Sequence, residues 1–431
     1  MRRLRTRDPG FAAAFAALVA DTRDGGTDPS ADVAAILGRV RREGFAAVAD
    51  LTHRFDGIRL TEADAEVPAA ERAAAAAQVA APVRAALALA AERIRAFHAE
   101  LRPADRALTD AAGVRMGVRH TPVARAGLYV PGGRAAYPSS VLMNAIPAAV
   151  AGVGELVMAT PVRGGALVPE VMLAAELAGV ARVFRIGGAQ AIAAMAWGVG
   201  PVPRCDVIVG PGNAWVAEAK RQLYGEVGID MVAGPSEVLV VADRSAPAAL
   251  VAADLLAQAE HDPAAQALLM TDSPALADAV EAEVERLLPT LATEAVARAS
   301  WEAHGTAILL EDLAEAPALV DALAPEHLQL MVAEPRPLAA AITNAGAIFL
   351  GAMTPEAIGD YVGGPNHVLP TGRRARFASG LSVADFLKRT TFLEVPEAAF
   401  GPLGEAAAAL AEAEGLSAHA LSVRLRLGRP G

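Results

Sequence analysis

The order of apolar runs in this 431-residue chain predicts an α/β fold: two modules, each built on a parallel sheet, with small helical pieces at the two ends. Three observations predict it. From near residue 120, short apolar runs alternate with glycine-marked turns and Ala-rich helical patterns, the rhythm of βαβ units. That rhythm then runs through a second cycle. Hydrophobic residues make up 54% of the chain against 20% charged, enough for two real cores in a chain too long for one ordinary domain.

The first hundred residues read as helices broken at Asp24-Gly25-Gly26 and Asp56-Gly57, with no convincing strand signal. Arginines at positions 2, 3, 5 and 7 precede Phe11 to Ala20, which superficially resembles a signal peptide. Asp8 and Pro9 interrupt the approach, and Leu18 stands where cleavage after Ala20 wants a small residue, so an amphipathic helix is expected. Ala70 to Leu101 is strongly helical by composition.

Candidate strands of the first module are Gly127–Val130, Leu156–Thr160, Val183–Ile186, Val207–Val209 and Val238–Ala242. Helical patterns lie between them at Val141–Ala151, Glu170–Leu177, Ala189–Trp197 and Ala214–Leu223. The second cycle has strands Ala267–Thr271, Thr306–Leu310, Leu328–Val332 and Ala347–Leu350, with helices Ala275–Leu288, Pro317–Leu323 and Pro337–Ala345. Both modules are Rossmann-like in rhythm but lack the G-x-G-x-x-G fingerprint. Ligands of such sheets are expected outside the carboxyl ends of the strands. From about Arg373 the tail reads as helical and ends in the basic stretch Arg424 to Arg429. The expected divisions are residues 1–30 (helical arm), 31–124 (helical part of the first large domain), 125–237 and 238–372 (the two Rossmann-like domains) and 373–431 (helical tail).

Composition narrows the function. A net charge of −11 without a long basic run argues against nucleic acid. No stretch is long and apolar enough to span a bilayer, so a cytoplasmic protein is expected. The single cysteine, Cys205, rules out a disulfide framework and a Cys-rich metal site, and reads as a buried thiol beside the run Val207-Ile208-Val209.

Gly187-Gly188 and Gly210-Pro211-Gly212-Asn213 each follow a strand and open a helix, where bare amides can receive a pyrophosphate; a tight strand-to-helix turn fits them equally. Gln258 and His261 stand at i and i+3 on a helix expected to start near Ala248, a spacing that suits two ligands to one metal or a solvated polar face. A glutamine carbonyl is an uncommon zinc ligand. In Ala324-Pro325-Glu326-His327, Pro325 fits a first helical turn or a rigid loop, and the adjacent acid and imidazole are expected to point to different parts of a site. Asp360 and His367 lie in what reads as a glycine-rich loop, Asp360 as a metal ligand or a turn cap, and Glu414 and His419 stand in the tail. His53, His98, His120 and His304 have no such company and read as surface or packing residues.

Eight segments occur in order: Gly127 to Gly133, Gly187-Gly188-Ala189-Gln190-Ala191, Gly210 to Asn213, Ala233-Gly234-Pro235-Ser236-Glu237, Gln258 to His261, Pro325-Glu326-His327, Asn366-His367-Val368-Leu369-Pro370 and Glu414 to His419. Together they resemble the histidinol dehydrogenase family from about Asp32 to Leu427, and Arg54-Phe55-Asp56-Gly57 extends the likeness into the helical region. The resemblance implies a homodimer with one zinc per subunit that uses two NAD in succession to convert L-histidinol, through bound histidinal, to L-histidine. It implies zinc on Gln258, His261, Asp360 and His419, general bases Glu326 and His327, and NAD contacts at Tyr129, Gln190 and Asn213. Substrate contacts fall on Ser236 and Glu414, together with His327 and the four zinc ligands. The family's tail enters the partner's site, so Glu414 and His419 are expected to act in trans. Cys205 and His367 receive no role beyond packing or support.

Three rivals remain. A related zinc and NAD dehydrogenase for another small alcohol, such as a sulfonated diol, would share the fold, but Glu414 repels a sulfonate. A metal-assisted hydrolase without dinucleotide and a non-catalytic two-lobed binding protein are the others.

Overall fold

All nine apolar runs expected as strands form strands, and they sort into two all-parallel sheets. A computed structural model describes residues 1–21, 23, 28–132, 137–232 and 234–428. The Asp24-Gly25-Gly26 break, Gly133, Ala233 and the last residue of the Arg424–Arg429 stretch lie outside the described residues. In chain order the strands are β1 (Arg2–Arg5), β2 (Arg106–Thr109), β3 (Arg115–Pro122), β4 (Arg125–Tyr129), β5 (Glu155–Ala159), β6 (Arg182–Phe184) and β7 (Val207–Val209). There follow β8 (Gly228–Ile229), β9 (Glu237–Ala242), β10 (Gln266–Thr271), β11 (Thr306–Leu309), β12 (His327–Met331), β13 (Ala347–Leu350) and β14 (Leu387–Glu394).

The first parallel sheet has the order β6-β5-β4-β7-β8, the second β1-β11-β10-β9-β12-β13. Edge strand β1 aside, both begin near the middle, at β4 and at β9, and extend one way and then the other. That reversal puts a topological switch point between β4 and β7 and another between β9 and β12. Central strands such as β9 and β10 are buried along their whole length because helices cover both faces, so they read as continuous apolar runs. Alternation still divides them: Val238, Val240 and Ala242 join one core, Leu239 and Val241 the other. Burying each of the valines and the leucine contributes on the order of 1.5–3 kcal/mol. Caps fix two helix starts. Asn213 accepts the Val216 N–H at 3.1 Å, and Ser273 the Leu276 N–H at 3.3 Å.

The chain forms two compact units, Met1–Leu101 with Val123–Phe386, and Arg102–Pro122 with Leu387–Gly431. The first holds both parallel sheets. The second holds an antiparallel sheet, β14-β3-β2, and the helices Glu397–Ala413 and Ser417–Arg426.

Sequence reading missed five strands, β1, β2, β3, β14 and the two-residue β8. The N-terminal arginines were expected to lead into a helix, yet Arg2–Arg5 pairs in parallel with β11 at the sheet edge before the helix Phe11–Ala20 begins. The stretches expected to be helical up to 124 and from 373 contain β2, β3 and β14. These strands are rich in Arg, Lys and Thr and lie half exposed, so they carry no apolar run to betray them. Gly117 permits the pairing, since a Cβ there would stand 2.3 Å from the Arg106 carbonyl oxygen.

Candidate active site

Glu326 and His327 stand at the entrance of β12, where Ala324 turns the chain with φ 41° and Pro325 stiffens it. This is a loop before a strand, not a helix start. It also lies at the amino ends of β9 and β12, opposite to the carboxyl-end rule, because the polar residues immediately precede the buried runs. Both side chains are buried. The Glu237 N–H donates to Glu326 Oε2 at 3.0 Å, and His327 Nδ1 donates to the Glu237 carbonyl oxygen at 3.3 Å. With Nδ1 so engaged, Nε2 keeps its lone pair and has no partner. The two residues converge rather than diverge. His327 Nδ1 lies 3.8 Å from Glu326 Oε2, because the carboxylate folds back onto the Glu237 amide.

Burial drives the titration of the pair. It holds His327 down at about 4, against the opposing pull of Asp360, so the imidazole is neutral near pH 7 and able to accept a proton. Burial pushes Glu326 well above the usual carboxylate range. The Glu237 N–H opposes this and the Glu237 and Asp360 charges add to it, while Ser236 steadies the ionised form. A carboxylate so raised is a stronger base.

Around Nε2 lies an unsatisfied polar set. Gln258 ends the helix Ala248–Ala259 fully buried, with neither amide atom partnered, an arrangement that costs about 1–3 kcal/mol unless something binds there. His261 lies just past the helix end rather than on its face, because the helix stops at Ala259. Its Nδ1 donates to the Ala257 carbonyl at 2.8 Å, leaving Nε2 free. Asp360 sits in the short helix Glu356–Tyr361 rather than in a loop, with Oδ1 3.8 Å from His327 Nε2. Gly359 is required there, since a Cβ would stand 2.4 Å from the Phe349 ring. His367 Nδ1 donates to the Asp360 carbonyl at 2.9 Å and so braces that helix.

Sequence reasoning missed Glu356. It is buried, and its Oε1 lies 3.5 Å from His327 Nδ1. Burial first, then the Asp360, Glu326 and Asp254 carboxylates, raise it well above the usual range. Donor atoms of His327, Glu356 and Asp360 lie within 4.8 Å of one another. The available signal was its i, i+4 spacing to Asp360 on one helical turn. An amide oxygen, imidazole nitrogens and carboxylates form a donor set that suits zinc, and the unpartnered Gln258 amide fits a ligand role.

The first sheet obeys the carboxyl-end rule. Tyr129 closes β4 beside Gly210 at the end of β7, where a Cβ on Gly210 would stand 2.1 Å from the Tyr129 carbonyl oxygen. The Tyr129 hydroxyl accepts the Gly188 N–H at 3.0 Å. Gln190, one turn into the helix Gly188–Trp197, is buried with its amide unpartnered. The buried Lys220–Asp230 ion pair grips both sides of Gly210: Nζ donates to its carbonyl at 3.0 Å, and Asp230 Oδ2 accepts its N–H at 2.8 Å. Asn213 caps the helix that follows, so two glycine-marked helix amino ends flank Tyr129. Cys205 is inert, its thiol pushed up to about 12 by burial. Glu414 and His419 belong to the second unit, exposed at the end of one helix and within the next.

The histidinol dehydrogenase family profile matches residues 22–427. A histidinol dehydrogenase of Cereibacter sphaeroides is 58% identical over 99% of this chain and 98% of its own length; that of Caulobacter vibrioides is 55% identical over 99% of each. The crystal structure of histidinol dehydrogenase from Elizabethkingia anophelis superposes with a TM-score of 0.95 at 34% identity, over 99% of this chain and 98% of that one. By sequence along nearly its whole length and by fold, the chain belongs to the histidinol dehydrogenase family.

Proposed function

We propose that this chain converts L-histidinol to L-histidine in two successive NAD-linked oxidations, as a zinc-dependent cytoplasmic homodimer. The observation that carries the reading is a buried neutral imidazole, His327, whose free Nε2 faces Asp360 and whose neighbour Glu326 is a raised carboxylate. Residues 125–237 would carry the NAD side, through Tyr129, Gln190 and Asn213, and residues 238–372 the metal and the bases. Gln258, His261 and Asp360, with His419, would hold one zinc per subunit. When bound, zinc supplies a fixed positive charge on which the amine and imidazole nitrogens of the substrate are oriented. NAD serves as hydride acceptor in each oxidation.

His327 takes the carbinol hydroxyl proton at Nε2 as the carbon gives up its hydride, leaving the aldehyde in place. Glu326 then removes a proton from the water that adds to that aldehyde. The resulting diol loses its second hydride, and His327 again accepts a hydroxyl proton. Ser236, which steadies the ionised Glu326, would hold the substrate close to it. Glu414 would receive the substrate imidazole, and with His419 it would act in the partner's site; the family resemblance supports this. Mixing enzyme and NAD with L-histidinol, and separately with a sulfonated propanediol, tests the proposal. NADH is expected from histidinol alone; NADH from the diol alone, or from neither, overturns it.

A further inference from the structure

Three non-glycine residues have positive φ among the described residues: Arg23 at 55°, Ala324 at 41° and Arg373 at 65°. Side chains resist this left-handed region, so it persists only where the surroundings impose it. All three lead to the two bases. Ala324 stands two residues before Glu326, and the two arginines meet on the carboxylate of Glu237. Glu237 Oε2 accepts Arg23 Nη2 at 2.8 Å and Arg373 Nη1 at 2.5 Å, and all three side chains are buried.

Each arginine is fixed in turn. Arg373 Nη2 donates to Gln266 Oε1 at 2.7 Å and to the Leu18 carbonyl at 3.3 Å, while Arg23 Nη1 donates to the carbonyls of Ser236 and Ala264 at 3.2 and 3.1 Å. Thr371 Oγ1 accepts the Gly234 N–H at 2.6 Å, lacing the same two segments together. The backbone of Glu237, meanwhile, serves the site: its N–H holds Glu326 and its carbonyl holds His327 Nδ1.

We propose that Arg23 and Arg373 are positioning residues for both oxidations, acting through Glu237. One guanidinium would balance the carboxylate charge. Two rigid forks from different segments fix the residue in more than one direction, which charge balance alone does not require. Buried ion networks are weak sources of stability, so geometry is the better reason for this one. The inference rests on the proposed roles of Glu326 and His327.

The test uses zinc-loaded Arg373→Met, Arg373→Lys and Arg23→Lys, with kcat and KM for histidinol and histidinal, zinc content and NAD affinity. Displacing the bases by a fraction of an ångström lowers kcat about 10- to 100-fold in Arg373→Met for both substrates. KM for histidinol stays within about threefold, because ground-state binding is kept. Zinc content and NAD affinity match wild type, and Arg373→Lys recovers part of the loss. Wild-type kcat in a folded arginine variant, or a loss that only tracks missing zinc, overturns the inference. Should Arg373→Met not fold, the two lysine variants decide it by the same split between kcat and KM. Absence of NADH from the wild-type enzyme with histidinol defeats instead the reading of the pocket, so the two failures are distinct.

Discussion

The Tyr129 hydroxyl and the Gly188 N–H, 3.0 Å apart, tie the end of β4 to the start of the helix after β6. One hydrogen bond thereby joins two of the segments that the proposal assigns to NAD. Burial pushes the phenol up to about 12, so it stays neutral across the working range. Tyr129→Phe keeps the ring and removes the bond. The expected result is a KM for NAD raised about 2- to 10-fold, the net worth of one hydrogen bond, with KM for histidinol unchanged. Steady-state kinetics against each substrate checks this, and an unchanged KM for NAD removes Tyr129 from the cofactor site.

Gln258 offers a test on the metal without catalysis. Gln258→Leu removes a buried unpartnered amide, so the metal-free protein gains about 1–2 kcal/mol in urea unfolding. Zinc affinity falls at least about 10-fold in competition with a chelator. Lower stability together with unchanged zinc affinity refutes a ligand role.

His98 is expected to contribute to acid sensitivity away from the site. Burial lowers its pKa from 6.5 to about 4, and neither ring nitrogen has a partner. A depressed folded value means that the stability is present above pH 6.5 and is lost as pH falls through about 4. His98→Leu should therefore flatten the fall in unfolding midpoint between pH 7 and pH 4. A slope equal to wild type contradicts the assignment.

Shared sites, if the proposed dimer has them, are tested by mixed dimers. His327→Asn and His419→Asn are each expected to be inactive. If the tail acts in trans, subunit exchange pairs one intact set of residues in a mixed dimer and restores up to about half of the activity per site. No recovery after verified exchange argues that each subunit completes its own site.

The legible part of this protein was its buried part. Eight of the nine expected strands were visible because burial on both faces writes continuous apolar runs such as Val238-Leu-Val-Val-Ala242, whereas β13, with no buried residue, showed itself only by its apolar residues. β3 and β14 were hidden because half-exposed antiparallel strands carry Arg and Thr. Residue type flagged Glu326 and His327, but not their convergence, which depends on the Glu237 backbone across the sheet. What marks Gln258 as a candidate ligand is its burial without partners, which no sequence spacing reveals. Glu356 was missed because a lone glutamate after Pro355 reads as an ordinary helix start. Arg23 and Arg373 are far apart in sequence, and no local pattern links them to Glu237.

The proposed division of labour between His327 and Glu326 is most directly tested by counting NADH per molecule of limiting L-histidinol under excess NAD. Wild type should give two. Glu326→Gln, which keeps the imidazole base but cannot activate water, should give close to one, with histidinal accumulating. Two NADH from the variant at the wild-type rate, or one from the wild type, would contradict the account.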